Sequence, residues 1–99
     1  MADLRIEWDA QKARINERKH GITFEQAETA FSDDNALLLI DPDHSTPEEE
    51  RLVLIGVSIV ARVLVVIHCE RDDGDTIRLI SARRATRTER AQYDARWKR

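Results

Sequence analysis

Cysteine is nearly absent from this sequence, and its scarcity limits the chemistry of the chain. The single cysteine, Cys69, has no partner for a disulfide within the chain, so the fold depends on its hydrophobic core. No group of Cys and His residues has the spacing of a zinc site. We therefore expect a protein of a reducing compartment, with no metal site and no cofactor.

Glycine, proline and long apolar runs are also scarce. With three glycines and two prolines, the chain is neither collagen-like nor low-complexity, and it has no glycine-rich phosphate loop. No apolar run approaches the ~20 residues of a transmembrane helix, and the first residues lack the order of a signal peptide. We expect one domain, residues 1–99, in the cytoplasm and away from membranes.

The net charge is small but unevenly distributed. The formal value of −3 argues by itself against a polyanionic partner. Residues 1–50 nevertheless have 13 acidic and 5 basic side chains, whereas residues 51–99 have 6 and 11. Of the 16 basic residues, 13 are arginine, whose planar guanidinium suits phosphate and carboxylate. This asymmetry indicates nucleic acid, an acidic partner, or both.

Capping residues predict three helices. Asp9 is placed to cap a helix over residues 10–20 that ends at Gly21, and Thr23 to cap a second helix. Near the C-terminus, Thr86 and Glu89 have the spacing of a capping box. The sequence therefore predicts two N-terminal helices and one C-terminal helix.

Short runs rich in Val, Ile and Leu predict strands between the helices. These runs are residues 36–40, 51–57, 62–70 and 76–83. Residues 4–8 alternate apolar and charged side chains, as either an edge strand or an anchoring arm would. Residues 41–50 form a ten-residue surface loop, and the short links at residues 58–61 and 71–75 predict a meander of antiparallel strands. We therefore expect an α+β domain, with helices on one face of the sheet and part of the other face open.

Polar residues inside predicted strands are candidates for a site. His68 and Glu70 share one face of their strand, where a carboxylate would raise the histidine pKa and orient its ring. The alternative is a strand end that emerges into solvent. Arg78 is flanked by aliphatic residues, so its face is expected to be the open one. Whether Arg78 shares the face of His68 depends on the hairpin register, which residue types leave undecided.

Several other charged residues are either candidates for a site or ordinary surface residues. Arg83 and Arg84 lie just before the last helix, either as an anion site or as a solvated basic turn capped by Glu89. Arg51 follows three glutamates, which favours a local salt bridge. His44 lies in the loop between the first two runs and is expected to be an ordinary loop residue.

The first helix has a polar stripe and little apolar surface. The stripe residues, at helical spacing, are Lys12, Asn16, Lys19 and His20. Such a face is either solvated or, since the apolar stripe is missing, close to the open surface of the sheet. Converging cations would suit a phosphodiester, and metal-free RNA cleavage needs only a base, an acid and cations for the phosphate. The candidates for base stacking are Trp8, Tyr93 and Trp97.

Four segments, in this order and spacing, resemble the BrnT toxins over nearly the whole chain. The segments are Trp8-Asp9-x-x-Lys12-x-x-x-Asn16-x-x-Lys19-His20-Gly21-Ile22-x-Phe24-x-x-Ala27, Asp43-His44 with Arg51, Val66-Ile67-His68-x-Glu70-Arg71, and Ile77-Arg78-Leu79-Ile80-Ser81-Ala82-Arg83-Arg84-Ala85-Thr86. The resemblance implies a RelE-like fold and an endoribonuclease that inhibits translation. It also implies a ribbon-helix-helix antitoxin of the BrnA type, which forms a hetero-oligomer with the toxin and supplies the contact with operator DNA.

The five main candidate residues all lie in segments that resemble the BrnT toxins. The main catalytic candidates are Lys19, His20, His68, Arg78 and Arg83, with either histidine as acid or base. The candidates for substrate binding are Lys12, Arg51, Glu70, Arg84 and Tyr93. A non-catalytic module that binds RNA or an acidic protein through the same basic face is the alternative function. An independent DNA-binding protein is disfavoured, because the sequence has no helix-turn-helix signature.

Overall fold

The structure is a computed structural model that describes residues 4–71 and 74–96. It has the α+β composition predicted from the sequence. In chain order the elements are β1 (Arg5–Glu7), α1 (Ala10–His20), α2 (Phe24–Thr29), a 3-10 turn (Ala30–Ser32), β2 (Leu37–Asp41), β3 (Arg51–Val57), β4 (Val63–Arg71), β5 (Thr76–Arg84) and α3 (Arg87–Ala95). The N-terminal segment forms a strand, so the sheet has five strands.

Local capping determines the bounds of α1, as predicted. The Asp9 carboxylate accepts hydrogen bonds from the backbone N–H groups of Gln11 and Lys12, at 2.9 and 3.0 Å. At the other end Gly21 has φ 71°, a left-handed conformation that favours glycine. Among the described residues, no helix is both long and apolar enough to cross a membrane.

The strand order across the sheet is β1-β5-β4-β3-β2. The four longer strands pair antiparallel, as their short links predict, and β1 adds in parallel to the outer side of β5. The free edges are therefore β1 and β2, and β5 lies between β1 and the centre of the sheet.

The main core lies between one face of the sheet and the two N-terminal helices. Phe24 and Ala27 of α2 and Ala30 of the 3-10 turn that follows it are fully buried. They pack with Leu64 of β4 and Leu79 of β5. This face is the "helix face" below.

The opposite face is covered only in part, by α3. Tyr93 of α3 is buried against Ile55 and Val65, and its hydroxyl donates a hydrogen bond to Asp33 at 2.6 Å. The expectation that all helices pack on one face is therefore wrong for α3. Both sets of alternating residues in β3 and β4 are apolar, so each face of the sheet buries a helix. The part that α3 leaves uncovered is the "open face".

A bulge in β5 determines which arginines reach the open face. Ile67 lies opposite Ser81, but the next residue, His68, lies opposite Leu79, so Ile80 is an extra residue. Because of this shift, Arg78 and Arg83 both lie on the face of α3, although five residues separate them. His68 lies opposite Leu79 and therefore on the helix face.

Candidate functional site

One row of residues crosses all five strands on the open face. Glu7 lies opposite Arg78, and Arg78 lies opposite Cys69. Cys69 in turn lies opposite Arg51, and Arg51 opposite Asp41. Neighbouring strands are about 4.8 Å apart, so the two arginines lie about 10 Å apart and bracket the buried cysteine. We call these five residues the cross-sheet row.

Exposed carboxylates already neutralise part of the row. Arg78 forms an ion pair with Glu7 at 3.3 Å, and Arg71 lies 4.0 Å from Glu7 and 3.7 Å from Glu49. Such partly exposed pairs contribute about 0–1 kcal/mol each, so a bound phosphate can replace them at little cost. Arg51 forms no ion pair with a described residue, so the local salt bridge with the preceding glutamates is not observed. Its guanidinium is available to an anion.

A second row on the same face forms an apolar floor beside the first. Ser81, Ile67, Val53 and Leu39 lie opposite one another on β5, β4, β3 and β2. Burial raises the pKa of the Cys69 thiol, which therefore stays protonated and is a poor nucleophile. The open face thus combines cations with an apolar floor.

The basic stripe of α1 lies beside this face, along β5. Lys12, Lys19 and His20 line a groove of about 250 Å³ together with Ile80 and Ser81. Ser81 also belongs to the second row of the open face, so the groove adjoins that face at this residue of β5. The α1 residues therefore approach the open sheet surface at its β5 side, as expected.

Electrostatic coupling also connects α1 to the cross-sheet row. Hydrogen bonds from the backbone N–H groups of Lys12 and Gln11 lower the pKa of Asp9, and the charges of Arg78 and Lys12 lower it further. Arg78 of the row and Lys12 of the groove therefore act on the same carboxylate.

Asn16, the remaining member of the stripe, is buried and structural. Its amide nitrogen donates to the carbonyl oxygens of Ala82 (2.8 Å) and Ile22 (3.0 Å). Its amide oxygen accepts from the backbone N–H of Ala82 at 3.0 Å. Asn16 thus satisfies both backbone groups of Ala82 as a neighbouring strand would.

His68 does not lie with the other candidates. It is 1% exposed, its Nδ1 lies 3.2 Å from the carbonyl oxygen of Val66, and its ring packs edge-on against Phe31. Burial lowers the pKa of His68, in contrast to the rise expected from a neighbouring Glu70. Glu70 is exposed further along β4. The expected His68–Glu70 acid/base pair is therefore wrong in its geometry.

Arg83 is engaged by an acidic partner that the sequence suggested only as a helix cap. Its two terminal nitrogens donate to the two carboxylate oxygens of Glu89, at 2.7 and 2.8 Å. The hydrogen bonds from Arg83 lower the pKa of Glu89 to about 2, while Glu89 also completes the capping box with Thr86. Arg83 therefore ties α3 to β5, and the interpretation as a capped basic turn is favoured for this residue.

Arg84 is exposed and faces a different, strongly basic groove. Arg62, Arg84 and Arg90 line a space of about 180 Å³ at the end of the sheet away from the cross-sheet row. Within residues 4–71 and 74–96, these three arginines have no ion-pair partner. We call this space the end groove.

The aromatic candidates do not present free rings in the described part of the chain. Trp8 packs edge-on against Phe24, with ring centroids 5.9 Å apart. Tyr93 is 3% exposed. Trp97 lies outside the described residues.

His44, expected to be an ordinary loop residue, lies at the end of the cross-sheet row. Its Nδ1 is 2.8 Å from Oδ2 of Asp41. The sequence signal for this contact is the three-residue spacing from Asp41 to His44 across a Pro-Asp turn, which brings a histidine back to the carboxylate. In the part of the chain that the structure describes, no group of three or more His, Cys, Asp or Glu side chains is arranged to hold a metal ion.

Fold and site together define an α+β domain with a cationic, partly open sheet face suited to binding phosphates. Residues 8–89 match the family described as "Ribonuclease toxin, BrnT, of type II toxin-antitoxin system". The chain belongs to this family of ribonuclease toxins.

A solved structure agrees with this assignment. The chain is similar to the ribonuclease toxin BrnT of Brucella abortus, known from a crystal structure at 1.1 Å resolution. The TM-score is 0.60 and the sequence identity 26%, and the match covers 85% of this chain and 99% of the Brucella chain. No curated protein matches the sequence.

Proposed function

We propose that this toxin is an endoribonuclease that cleaves RNA by metal-independent acid/base chemistry on the open face. The scissile phosphate lies between Arg78 and Arg51. Lys12, Lys19 and His20 bind the RNA backbone along the adjoining groove.

The cross-sheet row is the observation that carries this proposal. Arg78 and Arg51, on two strands, bracket one position, and the Glu7 carboxylate that pairs with Arg78 is exposed enough to be displaced. A phosphodiester gains negative charge at its equatorial oxygens in the transition state, and preorganised cations stabilise that charge. Cation binding and a side chain that transfers protons are then sufficient for cleavage through the 2′-hydroxyl.

The test is digestion of purified RNA by the isolated toxin in EDTA. We expect cleavage by the wild type, and a loss of about 10²-fold in rate for Arg78→Ala and for Arg51→Ala, because each removes a cation from the phosphate. Arg14→Ala is the matched control, since Arg14 is exposed on the side of α1 opposite Asn16. Intact RNA with a folded wild type, or full activity in both site variants, contradicts the proposal.

The alternative function is a non-catalytic module that binds RNA or an acidic protein through this face. The same experiment separates the two functions, because the alternative predicts that RNA is bound but stays intact.

Partner and location follow from the family resemblance. We propose that a BrnA-type ribbon-helix-helix antitoxin neutralises the toxin in the cytoplasm, forms a hetero-oligomer with it and supplies all contact with operator DNA. An acidic antitoxin segment would compete with RNA for the arginines of the open face. Two measurements test this assignment. The toxin should co-purify with the small protein encoded beside it, and that protein should restore the growth of cells that express the toxin. The RelE-like fold relationship and the inhibition of translation stay predictions.

A further inference from the structure

The loop between β2 and β3 holds a histidine against a carboxylate beside the cross-sheet row. Asp41 is both the last residue of β2 and the end of the row, opposite Arg51. Its Oδ2 lies 2.8 Å from Nδ1 of His44. The histidine side chain is 67% exposed and that of Asp41 is 22% exposed. A ring held at one nitrogen therefore presents its other side to solvent.

Hydrogen bonds within the loop fix the orientation of the pair. The second carboxylate oxygen of Asp41 accepts from the backbone N–H of Asp43 at 3.2 Å, so both oxygens have partners. The Ser45 hydroxyl donates to the carbonyl of Asp41 at 2.6 Å and accepts from the backbone N–H of Arg51 at 2.8 Å. Ser45 thus ties the turn to both strands, and the pair is built into the sheet.

The contact also determines which ring nitrogen is reactive. A carboxylate accepts a hydrogen bond from Nδ1–H, which leaves Nε2 of the neutral ring as a proton acceptor. This is the arrangement in which a carboxylate orients a histidine base and stabilises the imidazolium it becomes. Neither His68, which is buried on the other face, nor His20, in the α1 groove, has such a carboxylate contact among the described residues.

We propose that His44 is the general base of RNA cleavage and that Asp41 is its positioning residue. This assignment rests on the proposed function and adds a reacting group to the same site. With the phosphate on Arg51, Nε2 of His44 takes the proton of the adjacent 2′-hydroxyl. The 2′-oxygen forms a bond to phosphorus, the bond from phosphorus to the 5′-oxygen breaks, and that oxygen leaves with a proton from solvent water.

The charges around His44 come from the loop and from β2, β3 and β4. Asp41 and Asp43 lie on its own turn, and Arg51 begins the adjacent strand. Glu49, in the same loop, pairs with Arg71 of β4 at 3.7 Å. Of these groups, the Asp41 carboxylate is the one that contacts the His44 ring, at 2.8 Å.

Two variants test His44 directly. We expect His44→Ala and the closer-sized His44→Gln each to lower kcat by about 10²–10⁴-fold, since each removes the general base. Binding of an uncleavable 2′-O-methyl RNA is expected to stay at the wild-type level, because His44 does not hold the phosphate. The acidic limb of the pH–rate profile should disappear in both variants, and free imidazole should partly restore cleavage by His44→Ala.

A matched pair of variants tests Asp41. Asp41→Asn and Asp43→Asn each remove one carboxylate from the same turn, but only Asp41 contacts the ring. We expect Asp41→Asn to lower kcat and to shift the acidic limb of the profile, with imidazole giving no rescue. Asp43→Asn is expected to leave kcat and the pH–rate profile unchanged.

The outcomes separate this assignment from the proposed function. If the wild type leaves RNA intact in EDTA, the proposed function fails and the assignment falls with it. If the wild type cleaves and Arg78→Ala is impaired, but both His44 variants cleave at the wild-type rate with an unchanged pH profile, only the assignment of His44 is overturned.

Discussion

At the scale of single residues, His68 shows how burial turns a candidate acid/base into a core residue. The ring is 1% exposed and packs against Phe31, so adding a proton would place a charge in the core. Burial accordingly lowers the pKa of His68 below its ordinary value of 6.5. The neutral form is therefore part of the folded state.

This lowered pKa predicts a pH dependence of stability. Below about pH 6.5 the unfolded chain binds a proton at His68 before the folded chain does, so the free energy of unfolding decreases as the pH falls. Replacing His68 with leucine removes this contribution. Between about pH 7.5 and 5.5, which bracket the ordinary histidine pKa of 6.5, we expect the free energy of unfolding to fall less in His68→Leu than in the wild type. Urea unfolding at both pH values measures this difference, and equal losses in the two proteins would contradict it.

The same scale explains why Arg83 and Arg78, both on one face, differ in role. The guanidinium of Arg83 makes two hydrogen bonds with Glu89, whose pKa it lowers to about 2. Arg78 has a single, more exposed contact with Glu7 at 3.3 Å. A bidentate pair is the stronger interaction, so the phosphate displaces the carboxylate at Arg78 more readily than at Arg83.

At the scale of elements, α1 is held to the sheet by an asparagine. Its apolar surface is small, but Asn16 pairs with both backbone groups of Ala82 in β5. The side chain thereby continues the hydrogen bonding of β5 beyond the three residues that β1 covers. This attachment places Lys12, Lys19 and His20 along the open face.

Removing the Asn16 amide should therefore destabilise the folded protein. We expect Asn16→Ala to lower the free energy of unfolding by about 2–4 kcal/mol, because the buried N–H and C=O of Ala82 lose their partners. Gln11→Ala, an exposed substitution on the same helix, should cost no more than about 0.5 kcal/mol. Chemical denaturation measures both values, and a cost for Asn16→Ala below about 1 kcal/mol contradicts this role.

At the scale of the whole molecule, the uneven charge matters more than its sum. A net charge of −3 does not attract RNA over long distances. Cations are nevertheless concentrated on the open face, along α1 and in the end groove. Binding by local phosphate contacts releases counterions, so affinity for RNA depends on salt even when the protein is acidic overall.

This distribution predicts the salt dependence of RNA binding. We expect the double variant Arg62→Ala/Arg84→Ala to reduce the slope of log K against log[salt] by about 1.4, because each phosphate of a single strand that an arginine neutralises contributes about 0.7 to that slope. The control is Arg14→Ala/Arg18→Ala, which removes the same charge from the exposed side of α1. Titration of an uncleavable 2′-O-methyl RNA measures both slopes. Equal slopes for the two double variants would show that RNA phosphates do not bind in the end groove.

Much of the secondary structure was predictable because its signals are local. The bounds of α1 and β3 agree with the predicted residues, and the predicted capping residues Thr23 and Thr86 precede α2 and α3. The side of the sheet that α3 occupies was predicted wrongly. Both faces of β3 and β4 are apolar, so residue type does not distinguish them.

The candidate site was predictable only in part. The convergence of Lys12, Lys19 and His20 followed from helical spacing. The placement of Arg78 relative to His68 did not, because one extra residue in β5 reverses which side chains share a face. The contact between His44 and Asp41 depends on a folded turn, and residue types alone left His44 as a loop residue.

The sequence by itself determined the caps, the strand segments, the charge asymmetry and the resemblance to a toxin family, since each depends on neighbouring residues or on ordered motifs. The tertiary structure alone decided which cations have partners, which histidine is buried and which residues form one row across the sheet. These properties depend on contacts between distant parts of the chain, such as that of Asn16 with Ala82, 66 residues apart. Pairing at that distance requires a register and a strand order, and neither is present in any local stretch of sequence.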